Sequence, residues 1–264
     1  MPARLSPLAI ALLAAALLSG CAGRQPPQPD YDPWEGLNRK TFWFNDQLDI
    51  YALEPIARGW DHIVPDSVQR SLAHFFDNLL FPVVFVNNLL QAKPRRAAEA
   101  LARFEINTFF GGLGFFDLAT DLGLPIQIED TAQTLGVWNI SPGPYLVLPF
   151  VGPSSPRDAV GLAGDFALGF YTYFVPLPYI TVAASGIDIV NDRSRYLDEI
   201  ANAKEASLDF YIFVRNAYVQ RRWKLLNDAI SPTGTYLFKE EEEDEEDLYN
   251  EEIYEDSVEP DNAP

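Results

Sequence analysis

Cysteine occurs once in these 264 residues, methionine once and histidine twice. With a single cysteine no disulfide framework can form, so any folded domain is held by packing and hydrogen bonds. His62 and His74 do not stand in a metal-ligand spacing and are too few for a typical zinc cluster. His74, beside Phe75 and Phe76, reads as a structural residue. The chain has no G-x-S-x-G elbow, no S-x-x-K and no P-loop. Asp117 and Asp121 are four apart, a spacing common on any solvated helix face. These gaps argue against an enzyme and call for neither metal nor cofactor. Cations are also scarce, with 19 Lys and Arg against 38 Asp and Glu and a net charge of −19. No basic stretch offsets that field, which disfavours nucleic acid as a partner.

The acidity is concentrated at one end. Residues 239–264 hold 14 acidic side chains and one lysine. Such a run cannot bury enough apolar surface to order itself. It reads as an acidic disordered tail, either solubilising or attracting a basic partner. At the other end, residues 1–20 read as a signal peptide with an apolar stretch from Leu8 to Leu18, too short for a convincing permanent span. Leu18-Ser19-Gly20-Cys21 resembles the bacterial lipobox, which implies cleavage before Cys21 and acylation of Cys21. Several acyl chains on one residue make a stable membrane anchor. Ala22, rather than Asp, follows the cysteine, a pattern that implies sorting to the outer membrane. Residues 21–31 then form a short polar tether that keeps the domain against the membrane. Residues 32–238 remain as one domain.

Helical signals dominate that domain. Asp32-Pro33-Trp34-Glu35 predicts a helix start, with Asp32 as N-cap and Pro33 in the first position. Trp34, Leu37, Thr41, Phe44, Leu48 and Tyr51 share one face, suited to a core, with Asn38 and Asn45 at its edge. Trp43 points nearly the opposite way, among Arg39, Lys40 and Asp46, and predicts a contact with lipid or headgroups. Further helices are expected from Asp66, after Pro82, and from Pro94 to about Phe110, the last ended by Gly111, Gly112 and Gly114. Residues 131–156 are uncharged but rich in proline and glycine and predict extended loops. Residues 193–227 show one long helical periodicity ending in Arg221, Arg222 and Lys224, cations that complement a helix C-terminus. Residues 166–187 are uncharged and aromatic, broken by Pro176 and Pro178. That segment reads as an interfacial hairpin, an ordinary core segment or a true span. Phe170, Tyr171, Tyr173 and Phe174 are its candidate membrane-interface residues.

Several motifs in order resemble the VacJ/MlaA family of outer-membrane lipoproteins. They begin with Asp32-Pro33-x-Glu35-Gly36-x-Asn38-Arg39 and Phe42-x-Phe44-Asn45. Asn78-Leu79, Pro82, Asn88 and Leu90-Gln91 follow, then Arg103-Phe104, Asn107-Thr108 and Asp117. Gln133-Thr134-Leu135-Gly136, the run Gly143-Pro144-Tyr145-Leu146-Val147-Leu148-Pro149, Gly152-Pro153-Ser154 and Arg157-Asp158 continue the match. Arg215, Ala217-Tyr218 and Gln220 close it. Thr131-Ala132 departs from the Phe-Gly usual before Gln-Thr-Leu-Gly, and Ala92 stands where glycine is usual after Leu-Gln.

The resemblance implies an all-α, ring-like domain of short Pro- and Gly-broken amphipathic helices lying in a membrane leaflet. It implies removal of misplaced phospholipid from the outer leaflet through an amphipathic channel, and delivery to a soluble periplasmic carrier. It also implies association with trimeric porins, and no cofactor. Asp158 and Asp165, beside apolar segments, are expected either to face such a channel or simply to cap helices or lie in solvent. A scaffolding lipoprotein that binds porins without transferring lipid is the alternative reading.

Overall fold

The computed structural model describes residues 32–169 and 178–227. The expected signal peptide, Cys21, the tether, the acidic tail and Phe170, Tyr171, Tyr173 and Phe174 lie outside the described residues. Helix α1 (Glu35–Leu48) runs through a π-helical turn (Asp49–Leu53) into α2 (Glu54–Ile63). Then come α3 (Asp66–Leu79), α4 (Phe81–Leu90), α5 (Pro94–Phe109), the short α6 (Leu118–Asp121) and α7 (Thr131–Val137). An antiparallel hairpin of β1 (Leu146–Leu148) and β2 (Gly152–Ser154) separates them from α8 (Pro156–Leu168), α9 (Pro178–Arg195), α10 (Leu197–Ala206) and α11 (Phe210–Leu226). The mainly helical fold is as expected.

Packing closes these elements into a circuit. The first helix packs on β1, β2 on α11, α11 on α7, α7 on α4 and α4 on α3. From α3 the path continues to α9, then α2, and through the π turn back to α1. A ring has two curved surfaces and little volume far from either, so its interior cannot be a single apolar core. The burial pattern agrees. The largest fully buried side chains are Gln69, Gln133, Asn38, Asn87, Asn88, Asn191 and Thr134. Among the described residues, buried apolar side chains are fewer than buried polar ones and include six alanines, whereas Trp43, Phe109, Phe110, Phe150 and Phe166 are exposed.

This inversion corrects the reading of α1. Trp34, Leu37, Phe44 and Leu48, expected in the core, are exposed. The inward face instead carries Asn38, Phe42 and Asn45, because the partner is the polar backbone of the hairpin. The Asn38 side-chain amide donates to the Tyr145 carbonyl (3.0 Å), and its oxygen accepts from the Val147 amide (2.9 Å). One heptad on, Asn45 donates to the Leu148 carbonyl and accepts from the Phe150 amide, both at 2.9 Å. The N-cap also differs from expectation. Trp34 occupies that position without a capping side-chain bond, and the helix starts only at Glu35. Asp32 is buried, where its carboxylate accepts from Asn38 (2.8 Å) and from the Tyr211 hydroxyl, and lies 3.8 Å from Arg215. A buried carboxylate is held better by three such groups than by one helix amide.

Two further readings are corrected. Residues 131–156 are not all loop. Asp130 caps α7 by accepting from the Gln133 amide, and Ser155 caps α8 by accepting from the Asp158 amide. The expected single helix over 193–227 is broken twice, before Leu197 and after Ala206, and Asp209 caps α11 through the Ile212 amide. No single described helix is long and apolar enough to cross a membrane, but α3 and α4, bent by 43° at their junction, could do so together by length and composition. That bend was legible in Pro82, which sits in the first turn of α4.

Ala92, where the resemblance leads one to expect glycine, has φ +57°. A Cβ is strained in this left-handed region. Ala92→Gly is therefore expected to raise stability by about 0.5–1 kcal/mol despite the added unfolded-state entropy. Thermal unfolding of the detergent-solubilised protein checks this; a lower Tm contradicts it.

Candidate functional site

Helices α8 and α11, with β2 and the start of α7, line an open cavity of about 510 Å³. Its size lies in the range of ordinary small-molecule sites. From α8 it is lined by Asp158, Leu162 and Asp165, spaced four and three apart on one helix face. From α11 come Phe213, Val214, Ala217, Tyr218, Arg221 and Arg222. Val151 and Pro153 extend the apolar end, and Asp130 joins the polar one. Phe213 and Arg222 are two to three turns apart, roughly 13 Å along the helix. The lining is thus graded from apolar to charged, as an amphiphile requires.

Arg222 organises the charged end. Its guanidinium donates to both Asp130 oxygens, at 2.6 and 3.2 Å, and its Nε lies 2.8 Å from Asp158. Asp158 also accepts from the Tyr218 hydroxyl (2.5 Å) and from the Arg157 Nε (3.2 Å). Burial works to raise the Asp130 carboxyl, but the Arg222 hydrogen bonds and charge, with the Gln133 amide, hold it below the usual carboxylate range. The sequence reading placed Arg222 at a helix terminus; the structure turns it onto two carboxylates instead.

Asp165 both lines this cavity and holds the start of α7. One oxygen accepts from the Thr131 amide (2.8 Å) and hydroxyl (2.7 Å), which ties α8 to the start of α7, and the residue lines the cavity. Burial pushes its carboxyl above the ordinary value, against those two hydrogen bonds. Its second oxygen has no partner among the described residues, nor does the exposed Arg221. Asp158 likewise sits in the first turn of α8 and lines the cavity. Asp130, Tyr218, Arg221 and Arg222 were not singled out as cavity residues from sequence. For Tyr218, Arg221 and Arg222 the only signal was their common helical spacing, which does not reveal the facing helix 60 residues away, and Asp130 carried none. Among the described residues no group of three or more His, Asp or Glu is placed to hold a metal.

A model of the MlaA lipoprotein family matches residues 30–225. The chain belongs to this family. It is 37% identical over 227 residues to the intermembrane phospholipid transport system lipoprotein MlaA of Escherichia coli K12, covering 84% of this chain and 88% of that one. The protein of the same name from Haemophilus influenzae is 34% identical, at 83% and 90% coverage. An uncharacterized protein of Rickettsia felis is also 34% identical, at 73% and 76% coverage. A solved chain from work on the "structural basis for maintenance of bacterial outer membrane lipid asymmetry" superposes with a TM-score of 0.66. It is 32% identical and covers 74% of this chain and 99% of its own length.

The MlaA motif residues prove to be mainly architectural here. Asn38 and Asn45 grip the hairpin. Arg39 bridges Glu35 (2.6 Å) and Asp209 (2.8 Å) while lying over the Tyr211 ring. Phe42 meets the rings of Phe210 and Tyr211, and Phe44 meets Phe150 edge-on. Arg103 donates to both Asp117 oxygens at 2.9 and 3.0 Å. Asn107 donates to Asp117 (2.8 Å) and accepts from the Ala119 amide, securing the turn after α5. Gly143 has φ +76° and lies beside Pro156, where a Cβ would be crowded. Pro144 follows it, and Tyr145 is buried against Tyr211 and Tyr218. These residues do not line the cavity, whereas the motif residues Pro153, Ser154, Asp158, Ala217 and Tyr218 do. Trp43 is 63% exposed, so it is not a core residue.

Proposed function

We propose that this chain is a lipid-anchored outer-membrane protein that removes misplaced phospholipid from the outer leaflet through an amphipathic passage. It hands the lipid to a soluble periplasmic carrier and so maintains lipid asymmetry. The transfer is non-covalent, without catalysis or cofactor. The observation that carries this reading is the inverted polarity of the ring, with amides and carboxylates inside and large apolar side chains outside. In water, so much exposed apolar surface would drive association. In a bilayer leaflet the same surface is solvated by acyl chains, while the polar interior satisfies its own hydrogen bonds. Trp43, with the aromatics expected at Phe170, Tyr171, Tyr173 and Phe174, suits the interface. The relatives from Escherichia coli and Haemophilus influenzae are named as components of phospholipid transport. Trimeric porins are the partners proposed to hold the ring at membrane depth, against its apolar outer surface.

Two measurements test the reading. A membrane-impermeant amine reagent should label more phosphatidylethanolamine on cells lacking the protein than on complemented cells; equal labelling defeats the transport role. A Cys21→Ala protein with a cleavable secretory signal should still partition into detergent. A freely soluble domain would favour the scaffolding alternative, in which the anchor alone meets the membrane.

A further inference from the structure

The charged end of the cavity is not uniformly acidic or basic, and this bears on which headgroup it accepts. Three carboxylates and two guanidinium groups line it, and most are committed to one another. Arg222 neutralises Asp130 and Asp158 through contacts of 2.6–3.2 Å. The Tyr218 hydroxyl occupies Asp158 further. Among the described residues that leaves one oxygen of Asp165 and the Arg221 guanidinium without partners, an anion and a cation lining the same cavity. Leu162 stands between Asp158 and Asp165 on α8, and Phe213, Val214 and Val151 form the apolar remainder.

We propose that this cavity recognises zwitterionic phospholipid headgroups bearing a primary ammonium, with the phosphate against Arg221 and the ammonium against Asp165. The inference rests on the phospholipid-transport reading and adds headgroup selectivity to it. A guanidinium is well matched to a phosphate, and a half-buried carboxylate gains most from a cation that can donate hydrogen bonds. An anionic headgroup without an ammonium would satisfy Arg221 but would leave Asp165 unpaired and facing added negative charge. A headgroup whose amine has been acylated loses the same contact and becomes net anionic while keeping the ethanolamine linkage. The apolar end, two to three turns away along α11, receives the glycerol and the first acyl methylenes.

The test uses the full-length, acylated protein in nanodiscs of equal phosphatidylethanolamine and phosphatidylglycerol. The lipid that stays bound after repurification in detergent is quantified by mass spectrometry. Enrichment of phosphatidylethanolamine of roughly tenfold is expected, the effect of one hydrogen bond to a charged group. N-acetylated phosphatidylethanolamine should lose that enrichment. Asp165→Asn, which keeps the oxygen that accepts from Thr131, should bring the ratio close to the bilayer's own. Arg221→Glu, at an exposed position and so safe for folding, should reduce retention of both lipids. A wild-type protein that retains both lipids in bilayer proportion overturns the selectivity and leaves transport standing. Selectivity that survives both Asp165→Asn and amine acetylation overturns the assigned contact. A wild-type protein that retains no phospholipid at all overturns the transport reading and this inference together.

Discussion

Replacing Arg222 by methionine is expected to destabilise the protein by about 3–5 kcal/mol, because it leaves two partly buried carboxylates without their cation. Asp130 loses both of its bonds to the guanidinium, and Asp158 loses the partner at 2.8 Å. The deficit should depend on pH in a defined direction. The Asp130 carboxyl is held below its usual range in the folded protein, so it contributes stability above that range and loses it as pH falls through the folded value. In Arg222→Met the same carboxyl loses its largest stabilising partner and is left with the burial that raises it. The gap between wild type and variant should therefore be widest near neutrality and should narrow as pH falls, closing only once it has passed the wild-type Asp130 value below the usual carboxylate range. Thermal unfolding in detergent at neutral and acidic pH reads this directly; a gap that does not change with pH contradicts the role assigned to the pair. Arg222→Lys should recover only part of the loss, since a point charge cannot reproduce the two-pronged contact.

Asn38→Leu carries the second large effect, on the other side of the ring. Leucine is close in size but supplies neither donor nor acceptor. The Tyr145 carbonyl, the Val147 amide and one Asp32 oxygen would each lose a partner at a site with no solvent exposure. At about 1–3 kcal/mol for each buried polar group left unsatisfied, a total above roughly 3 kcal/mol is expected. The damage should be local before it is global. Since α1 holds the hairpin through Asn38 and Asn45, limited proteolysis of the variant should cut first near residues 139–151. Leu37→Ala is the matched control. Leu37 is 60% exposed, and its truncation should change stability in detergent by less than about 0.5 kcal/mol. If Leu37→Ala proved the more damaging of the two, the assignment of the inward and outward faces of α1 would be reversed.

Much of the helical layout is readable from local chemistry. Pro94 opens α5 and Pro82 lies in the first turn of α4, while Gly111, Gly112 and Gly114 follow α5, because proline suits a first helical turn and glycine the turn after the last. The caps at Asp130, Ser155 and Asp209 were equally local but were hidden by proline-rich surroundings or by a long helical periodicity. Asp32 shows the opposite failure: it stands where a cap would, yet a buried network drew its side chain elsewhere. Ala92 was visible as a departure from the family pattern, but its positive φ needed coordinates.

By itself, the sequence determined that the chain is helical, lacks any disulfide, belongs with lipid-anchored envelope proteins through its motifs, and carries more aromatics than a buried core needs. Periodicity determined that α1 has two distinct faces. Only the tertiary structure decided which face turns inward, because a 3.6-residue repeat reports segregation and not the medium each side meets. In this ring the apolar face of α1 turns outward and Asn38 and Asn45 turn inward. The cavity is likewise a tertiary product. Asp158 and Asp165 were singled out on α8, but α11 supplies Tyr218, Arg221 and Arg222 from 60 residues along the chain, and electrostatic pairing over that separation leaves no local trace.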